Sequence, residues 1–149
     1  MPGTGARWIS AGVTVSTISG DTDESGTTAT FTVVLTSQPS DDVTIPISSG
    51  DPSEGTVDQA SLTFDATNWS APQTVTVTGV DDALVDGNIT YTVSVGDPAS
   101  TGDSDYDGLS DGDTADVSVT NLDDDSAGVT VSPISGLTKI GRASCRERV

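Results

Sequence analysis

Residues 72–95, PQTVTVTGVDDALVDGNITYTVSV, set two runs of apolar and polar alternation on either side of an acidic loop. Val75 and Val77 recur at a spacing of two in the first run, and Ile89, Tyr91, Val93 and Val95 do so in the second. Most of the intervening residues are Thr or Ser. A two-residue period of β-branched and aromatic side chains describes a strand with one face buried, and the Gly, Asn and Asp between the runs describe its connection.

The same period recurs outward in both directions, at Val13 and Val15; Phe31, Val33 and Leu35; Val43, Ile45 and Ile47; Leu62 and Phe64; and Val117 and Val119. Strands are therefore expected over 12–18, 27–36, 43–48, 61–65, 72–79, 89–95 and 116–122. No stretch keeps a helical period, although high charge and low hydrophobicity would otherwise suggest disorder. About seven short strands in a unit of domain size point to an all-β fold, an immunoglobulin-like antiparallel β-sandwich.

An internal repeat sets the domain boundaries. AGVTVSTISG at residues 11–20 returns as AGVTVSPISG at residues 127–136, with one substitution, Thr17 against Pro133. The offset of 116 residues is domain length rather than the period of about 20–50 residues found in solenoids. The chain thus divides into a non-repeat or truncated leader (1–10), one complete repeat (11–126) and the first strand of the next repeat (127–138). Residues 139–149, KIGRASCRERV, hold four of the five basic residues and the only Cys. So abrupt a change of composition signals a join; the segment resembles a translated sequencing adapter and is taken as lying outside the fold, so Cys145 carries no disulfide or metal argument.

Between Ser10 and Thr138 there is no Lys, Arg or His, yet the stretch holds every Asp and Glu except Glu147. No ion pair can form there, so its carboxylates must be solvated, protonated or bound to cations. Asp outnumbers Glu 20 to 3, and short carboxylates on loops suit hard cations. If successive strands reverse direction, the first, third and fifth connections and the exit from the last strand share one end of the sandwich. These segments carry Asp21, Asp23 and Glu24; Asp51, Glu54 and Asp58; Asp81, Asp82 and Asp86; and Asp123, Asp124 and Asp125. Like charges about 4 Å apart repel by about 1 kcal/mol in water and about 4 kcal/mol at an effective dielectric near 20. A divalent cation relieves that repulsion. Calcium fits best, because zinc prefers His and Cys and magnesium a strict octahedron that keeps its waters.

The series DESGTTATFTVVL (23–35), SLTF (61–64), the opening stretch, and ADVSVTNLDDD (115–125) resembles a Calx-beta domain, of the kind repeated in large bacterial surface and adhesin-like proteins. The resemblance covers residues 11–125 and is carried most closely by the acidic positions. It implies Ca2+ held by Glu24, Asp81, Asp82, Asp86, Asp123, Asp124 and Asp125, with the carbonyl oxygen of Leu84 as a neutral ligand. The match departs in GDPSEGTVDQ (50–59), which lacks the family's aspartate-tyrosine step and leaves Asp51 or Glu54 to supply a further carboxylate.

Residues 102–113, GDSDYDGLSDGD, open like an EF-hand loop, but the twelfth ligand position falls on Thr114 and no helices flank the segment. An acidic connection at the opposite end of the sandwich is the expected reading. In an array it would face the Asp123–Asp125 end of the preceding repeat. The sequons at Asn68 and Asn88 and the row Thr74, Thr76, Thr78 carry weaker signals, explained by a Thr-rich strand protein.

Catalysis has little to draw on, since no usual pair of nucleophile and base exists without His, Lys or Cys. A pair of carboxylates would still meet the minimum for a glycosidase, but a small sandwich in an array suggests no deep cleft. A net charge of -18 disfavours nucleic acid and direct membrane insertion. The expected role is a non-enzymatic, calcium-binding structural repeat, secreted or on the cell surface. It would act as a rigid spacer whose partners are neighbouring repeats and, through other domains, a host or surface ligand. The alternative is an accessory carbohydrate- or protein-binding module of a secreted enzyme, favoured if Trp69 or Tyr106 forms an exposed aromatic platform.

Overall fold

The computed structural model describes residues 10–136; the leader (all but Ser10), the last two residues of the 127–138 segment and residues 139–149 lie outside them. Nine strands are present: β1 (Val13–Val15), β2 (Thr22–Asp23), β3 (Thr28–Leu35), β4 (Val43–Ser49), β5 (Gly55–Val57), β6 (Ser61–Phe64), β7 (Gln73–Gly79), β8 (Ile89–Val95) and β9 (Val117–Leu122). They form an immunoglobulin-like sandwich of one four-stranded sheet, β1-β3-β7-β5, and one five-stranded sheet, β2-β9-β8-β4-β6. All seven expected strands are present. The additions are β2 and β5, too short to alternate visibly.

Alternation becomes burial because every second side chain of a strand points between the sheets. On β3 the inward set is Ala29, Phe31, Val33 and Leu35; on β4 it is Val43, Ile45 and Ile47; on β8 it is Tyr91, Val93 and Val95. Each is less than a tenth exposed. Full burial of an aliphatic or Phe side chain contributes about 1.5–3 kcal/mol, so this layer holds the fold together. On the outer face, Thr28, Thr30 and Thr32 stand opposite Thr78, Thr76 and Thr74, which makes the threonine row a cross-strand ladder.

The first expected strand is interrupted, and the reason is local. After Val15 the chain stays beside β3, with Ser16 and Ser19 N–H donating to the carbonyls of Thr32 and Thr30. The return bonds, however, run from Thr32 and Thr30 N–H to the side-chain Oγ of Ser16 and Ser19. Hydroxyls replace carbonyls as acceptors, so the regular ladder ends. The chain then crosses to the other sheet, where β2 pairs with β9 in parallel, Thr22 opposite Asn121 and Asp23 opposite Leu122. This is the one parallel pair among the described strands.

At the end away from β2, residues 102–113 form neither an EF-hand nor an open loop. Asp103 caps a single helical turn, α1 (Ser104–Asp107), accepting from the N–H groups of Asp105 and Tyr106. Its other oxygen accepts from Ser40 N–H at 2.7 Å, and Asp107 accepts from Ser100 N–H. These carboxylates act on backbone donors. Although burial alone would raise it, these N–H bonds hold Asp103 below the usual carboxylate range. Tyr106 is 1% exposed, with its hydroxyl donating to Ser37 O at 2.7 Å and accepting from Ser37 N–H at 3.1 Å.

Tyr106→Phe removes the partner of two part-buried backbone groups, at a net cost near 1–2 kcal/mol. Urea unfolding is expected to show that loss of stability with an unchanged m-value.

Candidate metal centre

The first connection, the β4–β5 turn, the β7–β8 loop and the end of β9 meet at one pole, as strand reversal requires. Glu24 follows β2 directly. The parallel pairing of β2 with β9 continues in the bond from Glu24 N–H to Leu122 O, 3.1 Å, and sets Glu24 beside the aspartates that follow Leu122. Asp124 N–H donates to Glu24 Oε2 at 3.0 Å, and Asp82 N–H approaches Oε1 at 3.4 Å. Glu24 is 3% exposed, so its charge is withdrawn from water and met chiefly by these two amides.

Two groups of carboxylate oxygens gather here, each mutually within 4.8 Å: Glu24, Asp82 and Asp125, and Glu54, Asp82 and Asp86. Oxygens bound to one calcium at 2.3–2.6 Å lie at most about 5 Å apart, so each group has the spacing that a shared cation requires. Asp82 belongs to both. Glu54 is 7% exposed, and Asp125 Oδ2 is buried without a hydrogen-bond partner among the described residues. An acceptor-only carboxylate oxygen left in that state is costly, and a cation would satisfy it.

The remaining acidic residues divide by what their oxygens already hold. Asp123 accepts from Gly87 N–H at 2.7 Å and Asp125 N–H at 2.8 Å, and its own N–H donates to Asn88 Oδ1. Asp81 and Asp124 face Asp125 as neighbouring charges. Asp51 closes the β4–β5 turn, its carbonyl accepting from Glu54 and Gly55 N–H and its carboxylate from Ser53. Of the two alternatives in that loop, Glu54 enters a cation-sized group and Asp51 does not. Leu84 is 63% exposed and its N–H donates to Asp82 Oδ1. Asp23 and Asp58 also accept backbone N–H bonds, from Ser25 and Thr27 and from Thr76.

Titration follows these surroundings. Burial, joined by the charges of Asp123, Asp124, Asp81 and Asp82, pushes Asp125 above the usual carboxylate range. The Asp124 amide favours the ionised form of Glu24, but desolvation, the Asp123 carboxyl and the Asp82 charge together outweigh it and Glu24 is also raised. Asp123 moves the other way, lowered by the Asp125 and Gly87 amides. Bonds from the Ser25 and Thr27 hydroxyls and amides hold Asp23 at about 2.

Beneath the carboxylates lies a polar floor that alternation conceals. Asn121 occupies an inward position of β9, two residues beyond Val119, and is 1% exposed. Its Oδ1 accepts from Thr22 Oγ1 at 3.0 Å, and its Nδ2 donates to Val80 O at 3.1 Å and Glu54 Oε2 at 3.3 Å. One amide therefore joins β2, the β7–β8 loop and the β4–β5 turn. Gly79 permits the close approach: a Cβ there would stand 2.1 Å from Asp23 O and 2.5 Å from Asn121 Oδ1. A polar residue at an inward position was the available sign of Asn121; Thr22 had none.

Among the described residues no helix is long and apolar enough to cross a membrane. No family model matches the chain, and no curated protein matches it. Among solved structures it is similar to WR4, a C. elegans MSP family member, at 11% identity and a TM-score of 0.42, over 72% of this chain and 98% of that one.

Proposed function

We propose that this chain is a calcium-binding structural repeat, of the Calx-beta type its sequence resembles, serving as a rigid spacer in a secreted or cell-surface bacterial protein, in an adhesion-related role. The observation that carries this reading is the meeting of Glu24, Glu54, Asp82, Asp86 and Asp125 in two cation-sized groups within a stretch that has no basic residue. One cation, or a pair bridged by Asp82, suits that geometry. Calcium is preferred because all the donors are oxygens, the ligands come from several loops, and calcium tolerates irregular coordination. Bound there, it would lock four connections into one rigid end and offer a neighbouring repeat a fixed surface. The role is structural rather than catalytic. The alternative of an accessory ligand-binding module lacks the aromatic platform that would favour it, since Tyr106 is buried and Trp69 packs against the core.

Calcium is expected to raise Tm, because a ligand that binds only the folded state stabilises it by about 2.7 kcal/mol at 100 times Kd. Asp82→Asn, which touches both groups, is expected to remove most of the rise in differential scanning calorimetry, and Asp51→Asn very little. Identical melts in calcium and in EDTA would refute the site.

Proton competition gives a second expectation. Glu24 and Asp125 have raised values in the fold, so without metal they take up protons above the range in which the unfolded chain does. Stability from these two groups therefore rises as pH falls through that window and is lost as pH rises. Asp23, held at about 2, acts oppositely, its contribution being lost as pH falls from about 4 towards 2. Protons and calcium compete for Glu24 and Asp125. The calcium-induced shift in Tm is thus expected to shrink as pH falls from neutral into the carboxylate range, measured at fixed free calcium.

Small-angle scattering tests the spacer role directly. A protein of two tandem repeats is expected to be extended and stiff in calcium and more compact and variable in chelator; equal profiles would remove the spacer role while leaving the metal site standing.

A further inference from the structure

The polar floor beneath the carboxylates brings together three side chains that are chemically complementary. Thr22 and Asn121 are buried, 0% and 1% exposed, and stand opposite each other where β2 pairs with β9. The Thr22 hydroxyl donates to Asn121 Oδ1 at 3.0 Å. The amide carbon lies one carbonyl bond, about 1.2 Å, beyond that oxygen, so an alcohol oxygen is held beside an electrophilic carbon. On the other side of the amide, Nδ2 donates to Oε2 of the buried Glu54 at 3.3 Å. A nucleophile, an electrophile and a carboxylate able to carry a proton thus meet away from water.

Tyr91 adds a donor without a duty. It is 6% exposed, and its hydroxyl ends against Gly55, where any Cβ would collide with it. Burial pushes that hydroxyl above its ordinary range, so it stays protonated; Thr22 stands near it, and Glu54 and Asp51 are the neighbouring charges. Yet it has no partner in hydrogen-bonding geometry among the described residues. A buried donor left in that state is costly, and it is free to bond an oxygen that gains charge beside Thr22.

We propose that Thr22 and Asn121 join in an ester cross-link, formed by the folded chain itself with release of ammonia. The Thr22 oxygen moves from Oδ1 to the face of the same amide and attacks Cγ. As the Oγ1–Cγ bond forms, the carbonyl electron pair moves onto Oδ1, and the hydroxyl proton follows its hydrogen bond to that atom. Glu54, already bonded to Nδ2, relays the proton from Oδ1 to the nitrogen. The carbonyl then re-forms, the Cγ–Nδ2 bond breaks with its electron pair on nitrogen, and ammonia leaves. No oxidant, reductant or co-reactant enters. Burial keeps water from the carbon, which protects the ester from hydrolysis once it has formed.

The position of the bond gives it a mechanical consequence. Thr22 and Asn121 are 99 residues apart and lie near the entry and the exit of the repeat, so an ester there encloses β3 to β8. Tension applied through the ends would pass across the ester, and the strands between would carry none of it. That benefit to a spacer rests on the function proposed above; the bond itself does not, because only groups of this chain take part and calcium has no role in the step.

Intact mass spectrometry of the folded full chain, kept in EDTA so that no metal takes part, tests the bond. The expected mass lies below that of the sequence by one ammonia, and proteolysis is expected to release a peptide holding Thr22 joined to one holding Asn121. The full sequence mass after prolonged incubation, with no joined peptides, overturns the proposal. A succinimide at Asn121 would also shed ammonia, but it does not need Thr22. Thr22→Val, which keeps the shape of the side chain, is therefore expected to restore the full mass; a loss of ammonia that persists in it overturns the ester. Should that variant not fold, the wild-type digest decides, since the joined peptides support the bond and their absence overturns it. Glu54→Gln is expected to slow the linkage by about 100-fold or more, and an unchanged rate overturns the part given to Glu54.

Discussion

Carboxylates held together without a basic residue to answer them are the constraint on which the arrangement of this protein turns. Glu24 and Glu54 are buried, Asp82 lies within reach of both, and Asp125 hides an oxygen that nothing among the described residues satisfies. Amides of Asp82, Asp124, Asp125 and Gly87 take part of the load. They are dipoles rather than charges, and they leave Glu24 and Asp125 with a raised affinity for protons. A group of sites that favours protons in this way also favours any other small cation able to enter, which gives the proposed calcium role its physical basis.

The sandwich can carry such a pole because the two functions are separated in space. Between the sheets, more than a dozen Val, Ile, Leu, Phe and Tyr side chains are buried, each aliphatic or Phe residue contributing about 1.5–3 kcal/mol. A few like-charge contacts at about 1–4 kcal/mol each do not outweigh that layer. The closest gatherings of carboxylates among the described residues lie in the connections at one end, where Asn121 ties three of them together before any ion arrives. On this account a cation would stiffen a pole that already exists rather than create the fold.

The opposite weakness lies in the first strand. Only three of its residues form regular β structure, and its hold on β3 passes to serine hydroxyls after Val15. A groove lined by Val15, Ile18, Ala115 and Val117 lies between it and the start of β9.

The sequence by itself determined the class of fold, the seven principal strands and the sharing of one pole by the acidic loops. Alternation is a local property, and strand reversal makes loop position a matter of counting. It also determined that no internal ion pair could form between Ser10 and Thr138. Only the tertiary structure decided which carboxylates meet. The placing of Glu24 depends on β2, two residues whose parallel pairing with β9 has no local signature. The choice of Glu54 over Asp51 depends on how the β4–β5 turn spends its hydrogen bonds. Asn121 acquires its role from three segments remote in sequence. Contacts of that kind arise from packing between elements, and no pattern along a single strand encodes them.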